Sequence, residues 1–217
     1  MVITDKLEKQ SRVEWIDICK GIAILLVVLG HTFRDEMLTN DIAYFLKTFI
    51  YSFHMPLFMA ISGYVFSLSL DKYIKEPKKF LAKKVKTLVV PFVLYSVLLY
   101  ILFFTVNQIS AINRMLENTG YRLVDVSNYA CGVLQGDNPY GVHLWYIYSL
   151  FLVSGFTLFV IKFVYSREIQ DKLIYILLFI AVAVWILRFV INPKMTILYR
   201  TMYYGMYYVV GIAWGGG

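Results

Sequence analysis

The chain has 217 residues, of which 59% are hydrophobic, 18% aromatic and 16% charged, with a formal net charge of +7. An average soluble domain is about 45–50% apolar and about 25% charged, so this composition excludes an ordinary water-soluble enzyme and makes a bilayer the natural solvent. It also excludes a disordered chain, which needs low hydropathy, and a disulfide scaffold, which needs many more than the two cysteines present.

Six apolar stretches approach the length that crosses hydrocarbon as a helix: residues 15–33, 49–70, 87–106, 143–163, 173–191 and 199–214. The short alternating runs of a barrel are missing. The predicted fold is therefore all-α, a polytopic transmembrane helical bundle of about six spans, with residues 1–217 as a single membrane-embedded domain.

The first span follows a tail holding Lys6, Lys9 and Arg12, and it reads as a retained signal anchor rather than a cleaved leader. It carries ionisable groups where they are costly, and each such group is a functional hypothesis. Asp17 and Lys20 lie three residues apart. Lys20 and His31 lie eleven apart, about 20° from three full turns, so they share a face about 16 Å apart along the axis. Gly21 and Gly30 would let a neighbouring helix or an extended ligand approach that face. The plain alternative makes Asp17 and Lys20 a snorkelling interfacial pair and His31 a headgroup residue. With an ordinary pKa near neutrality, His31 is suited to act as a general base toward a hydroxyl.

The second span opens Tyr51-Ser-Phe-His-Met-Pro-Leu-Phe and runs on to Ile61-Ser-Gly-Tyr64. Pro56 cannot donate to the Ser52 carbonyl and is expected to open the helix beside His54. Ser62, Gly63, Ser67 and Ser69 continue a small, polar face, which equally suits a packing helix whose serines bond across the bundle. Seven lysines then follow between residues 71 and 86, among them Lys83, Lys84 and Lys86 at the mouth of the third span. They suit anionic lipid headgroups, or the phosphates of a nucleotide-bearing donor. Nucleic acid is not an expected partner, because no binding module accompanies the charge.

The connection from residue 107 to 142 is the longest, and Gln135 to Tyr140 reads as a turn. His143 opens the fourth span beside Leu-Trp-Tyr, where an aromatic belt is the ordinary expectation. Alternate connections differ in charge. The tail, the loop after the second span and the loop after the fourth (Lys162, Arg167, Lys172) hold thirteen Lys and Arg; the others (Arg34, Lys47, Arg114, Arg122, Lys194, Arg200) hold six. The N-terminus is therefore expected in the cytoplasm. On that topology Cys19 and Cys131 lie on opposite sides and cannot pair, and neither has metal-ligand spacing.

Three places in the chain resemble the integral-membrane acyltransferase family 3, and within it the fucose 4-O-acetylase-like sugar acetyltransferases. The first is Arg12-Val-Glu-Trp-Ile-Asp-Ile-Cys-Lys-Gly-Ile-Ala-Ile with Val28-Leu-Gly-His31, which contains a basic residue, ten intervening residues and a histidine, here Lys20 and His31. The second is Phe53-His-Met-Pro-Leu-Phe58 with Ile61-Ser-Gly63. The third is His143-Leu-Trp-Tyr146 with Leu150-Phe151. A basic cluster ending in Pro91-Phe92 also fits, although lysines stand where many members have arginines, and an ammonium lacks the arginine fork.

The resemblance implies transfer of an acyl group, usually acetyl from cytoplasmic acetyl-CoA as co-substrate, to a hydroxyl of an extracytoplasmic glycan or lipid-linked sugar. No permanently bound cofactor or metal is implied. Catalysis would fall to His31 and Lys20, with Asp17, His54 and His143 orienting groups or binding acceptor, and with Lys83, Lys84 and Lys86 receiving donor phosphates. The setting would be a bacterial inner or plasma membrane. Family members have about ten spans of bilayer-crossing length, so a chain of six is expected to be the N-terminal part of a longer enzyme. A transporter or flippase using Asp17, Lys20 and His31 as a path is the rival from another class, and an inactive remnant is a third reading.

Overall fold

The computed structural model describes residues 14–33, 40–118, 122–166, 172–187, 189–190 and 196–215. Of the charges used above for orientation, Lys6, Lys9, Arg12, Arg34, Arg167 and Lys194 lie outside the described residues. Every regular element among those described is helical: α1 (Glu14–Thr32), α2 (Asp41–Ser67), α3 (Leu70–Lys75), α4 (Pro77–Lys84), a π turn (Val85–Val89), α5 (Val90–Asn107), α6 (Ser110–Asn118), α7 (Val126–Leu134), a 3-10 turn (Val142–Leu144), α8 (Trp145–Ser166), α9 (Leu173–Leu187) and α10 (Thr196–Gly215).

Among the described residues four helices are long and apolar enough to cross a membrane: Glu14–Thr32, Asp41–Ser67, Pro77–Asn107 and Val142–Tyr165. The other two expected spans differ for distinct reasons. α9 is apolar throughout but has 15 residues, short of a bilayer's thickness. α10 has 20 residues, but five tyrosines, Arg200 and two threonines dilute its hydropathy.

The boundaries differ where polar residues continue a helix beyond its apolar run. α2 starts at Asp41 because the Asn40 side chain accepts from the Ile42 and Ala43 N–H groups at 2.9 and 3.3 Å, an N-cap in extended backbone. The third run is preceded by α4, which begins at Pro77, where a missing N–H costs nothing. The expected opening at Pro56 does not occur. α2 passes through it unbroken, with the proline ring buried. The long connection is not a bare loop either, since α6 and α7 lie within it. Its expected turn is present, with Gly136 at φ +71°.

The core lies between α2, α8, α9 and α10, around Met59, Phe66, Ile161, Leu177, Tyr208 and Ile212. Glycines set the α2–α10 distance. A Cβ on Gly63 would overlap the Tyr208 carbonyl, one on Gly211 the Ala60 carbonyl, and one on Gly215 the Ser67 hydroxyl. The two backbones therefore touch, a small-residue contact of the kind that joins helices in lipid. α1 lies against α2 at both ends. Gly30 meets Tyr51 and Ile50, and Trp15 packs edge-on against Tyr64 and tilted against Trp214 of α10. The expected close approach at Gly21 is absent, with nothing within 4 Å of a Cβ there. Ile18 and Leu25 face outward, as lipid-contacting side chains would.

Candidate functional site

The C-terminal end of α1, the first half of α2 and the start of α8 enclose a cavity of about 1170 Å³ with the first turns of α10. Its walls hold all three histidines of the chain.

His31 and His143 face one another with ring centroids 3.9 Å apart, although 112 positions separate them in the chain. The Tyr51 hydroxyl is 2.9 Å from His31 Nδ1 and its ring meets the imidazole edge-on. On the other side Tyr51 meets His54 edge-on at 5.2 Å. The i, i+3 spacing of Tyr51 and His54 puts both on one face of α2. His54 is 4% exposed, and its Nδ1–H donates to the Ile50 carbonyl at 2.6 Å. That bond selects the tautomer with a lone pair on Nε2. The result is a continuous row from His54 through Tyr51 and His31 to His143.

A buried hydrogen-bond network holds the segment that delivers His143. Asn138 Oδ1 accepts from the Tyr140 and Gly141 N–H groups, both at 2.9 Å, and Asn138 Nδ2 donates to Ser96 Oγ at 2.9 Å. Ser96 Oγ in turn donates to the Phe92 carbonyl, and the Tyr129 hydroxyl donates to the Ser96 carbonyl at 2.8 Å. Tyr140 stacks on Phe103 at 4.0 Å, nearly parallel, while its hydroxyl accepts from the Val124 N–H. The turn is thereby pinned to α5 and α7, and the chain leaves Gly141 directly into the 3-10 turn that presents His143.

Arg200 completes the wall. Its guanidinium lies 5.2 Å over the Trp145 ring, and its Nη1 is buried without a hydrogen-bond partner among the described residues. Among the described residues no carboxylate lines the cavity.

The residues expected at the site divide accordingly. His31, His54 and His143 come together, with His143 against His31. Lys20 is half-buried on α1 but is not part of the cavity wall, and Asp17 is likewise outside it. Lys83 borders a second hollow of about 700 Å³ with Lys72, Lys79, Asp71 and Glu76, where Lys79 pairs with Glu76 at 3.0 Å. Lys84 is apart from that hollow, over the Phe80 ring at 5.5 Å, and Lys86 is exposed on the π turn. Cys19 and Cys131 are both free. Among the described residues no group of three His, Cys, Asp or Glu side chains is arranged to hold a metal ion.

Tyr51, Asn138 and Arg200 were not singled out by sequence. The Tyr51–His54 spacing and the polar turn before His143 were available signals for the first two. Arg200 looked like one more charge in a connection.

Residues 13–216 match the acyltransferase domain of acyltransferase family 3. The chain is also similar to nodulation protein NolL of Sinorhizobium fredii (strain NBRC 101917 / NGR234), 52% identical over 54 residues that cover 24% of this chain and 15% of that protein. NolL of Mesorhizobium japonicum (strain LMG 29417 / CECT 9101 / MAFF 303099) is 48% identical over 54 residues, 24% of this chain and 14% of that protein. No solved structure matches the chain. With nearly its whole length matched, the chain belongs to acyltransferase family 3, while the segment it shares with the two NolL proteins spans only about a seventh of their length.

Proposed function

We propose that this protein moves an acyl group, acetyl by preference, from acyl-CoA to a hydroxyl of an extracytoplasmic glycan or lipid-linked sugar. The observation that supports this most is the meeting of His31, His143, His54 and Tyr51 in one large cavity at the end of α1. Six spans with a cytoplasmic N-terminus, in a bacterial inner or plasma membrane, would put that end of α1 outside and the lysines of α3 and α4 inside.

In this reading His31 is the general base. With Nδ1–H donating to the Tyr51 oxygen, Nε2 keeps its lone pair for the acceptor hydroxyl. As the hydroxyl oxygen attacks the thioester carbonyl, the C–O bond forms, the C–S bond breaks and the proton passes to Nε2. The imidazolium then returns it to the departing thiolate, giving the CoA thiol and neutral His31. His143 and His54 bind the acceptor or orient His31. Lys20 positions the donor along α1, with Asp17 orienting Lys20, while Lys83, Lys84 and Lys86 attract the CoA phosphates. The hollow bordered by Lys72, Lys79 and Lys83 supports that last role.

The test is release of CoA thiol by the purified protein in nanodiscs, with and without a saccharide acceptor. Acceptor-dependent release is expected, and Lys20→Ala should raise the KM for donor with little change in that for acceptor. Saccharide movement across proteoliposomes without any donor, and no thiol release, would contradict the proposal.

A further inference from the structure

We propose that Arg200 is the acceptor-specificity residue and that the acceptor is an anionic saccharide, bearing a carboxylate or a phosphate. The inference rests on the acyl-transfer reading for the word acceptor, but its observations are independent of that chemistry.

The guanidinium is always charged. Its Nη1 is buried and unpartnered among the described residues, in a cavity whose other titratable groups are three imidazoles and the tyrosine phenols. A buried donor of a charged group without a counter-charge is costly, and among the described residues the wall supplies none. Stacking on Trp145 compensates the face of the guanidinium but leaves its in-plane donors unused. Those donors match a carboxylate or phosphate, which a planar fork holds through parallel charge-assisted bonds. A ligand that brings the anion therefore completes the site.

The surroundings select a sugar to carry that anion. Trp145, Tyr146, Tyr199, Tyr203 and Tyr204 line the same wall, and Trp145 packs on Tyr204 at 5.0 Å. Such rings offer flat apolar faces to a pyranose and hydroxyls to its oxygens. Arg200 would hold the anion while a free hydroxyl of the same molecule reaches the His31–His143 pair.

The experiment measures binding to the full chain in phosphatidylcholine nanodiscs by calorimetry. The probes are methyl glucuronide, glucose 1-phosphate, neutral methyl glucoside and adenosine 3′,5′-bisphosphate as a mimic of donor phosphates. At least one of the two acidic sugars should bind about tenfold or more tighter than the glucoside, as hydrogen bonds to a charged group allow. Which one separates a carboxylate from a phosphate acceptor. Arg200→Gln should remove the preference, and Arg200→Lys should keep part of it. Equal binding of acidic and neutral sugars, binding of neither acid, or an Arg200→Gln effect confined to the bisphosphate would overturn the proposal. If Arg200→Gln does not fold, the acid-to-neutral ratio of the unmodified chain decides. Acid binding without any acyl transfer would sink the catalytic reading and leave the anion site standing.

Discussion

The α2–α10 seam and the cavity at the end of α1 are built on opposite principles. The seam is joined backbone to backbone: Gly63, Gly211 and Gly215 have no room for a methyl group, and Tyr208 beside them is wholly buried. The cavity is joined by side chains alone, where His31 reaches α8 through the His143 ring and α2 through the Tyr51 hydroxyl. Both regions share α2, and about two turns separate Gly63 from His54. A glycine seam tolerates almost no displacement, so it fixes the helix that carries Tyr51 and His54. The cavity side keeps the space and the unpaired polar groups that a substrate needs.

That division predicts where substitutions act. Gly211→Leu at the seam should cost the most, about 3 kcal/mol or more, because the Ala60 carbonyl stands where the new Cβ must go. Thermal unfolding in detergent should show a large drop, with activity lost alongside.

Asn138→Leu should come next. It strands the Tyr140 and Gly141 N–H groups and should destabilise by about 1–3 kcal/mol, with turnover falling further than stability because His143 loses its anchor. Equal turnover per folded molecule would remove Asn138 from the account of the site.

Tyr51→Phe should be milder in stability and visible in turnover. It deletes one hydrogen bond to His31, about 0.5–1.5 kcal/mol, or several-fold in kcat, with donor KM unchanged.

The smallest effect lies outside both regions. Hydrogen bonds from Ser127 hold the Asp125 carboxyl below its ordinary value at the start of α7. Its contribution is therefore complete above the ordinary carboxylate pKa and fades as pH falls through the lowered one. Asp125→Asn keeps a capping oxygen and should flatten the pH dependence of the unfolding midpoint below about pH 5.

The helical class and the main apolar helices were legible in the sequence, because each depends on local hydropathy. The shared face of Lys20 and His31 follows from helix geometry alone. Their separation in function is less local: only the fold shows that the cavity wall includes His31 and not Lys20. The nearness of His31 and His143 could not be read from spacing, since it comes from the 3-10 turn before α8 lying beside the end of α1. Pro56 misled for a related reason. A proline removes one donor, but the buried packing around it keeps α2 continuous. Gly63 reads in sequence as part of a small, polar packing face and Arg200 as a connection charge; the packing of α10 on α2 and α8 gives each its place. A family resemblance drew attention to His31 but said nothing of Asn138, which acts through a turn.

The central claim is that the cavity performs the chemistry and the seam only holds it. The most direct measurement is acyl-transfer turnover and thermal midpoint for His31→Ala in one preparation, beside the unmodified protein. The account predicts a fall in turnover of about 10²-fold or more, as loss of a general base implies, with the midpoint nearly unchanged. Turnover that survives His31→Ala, or that falls only in step with unfolding, would contradict it.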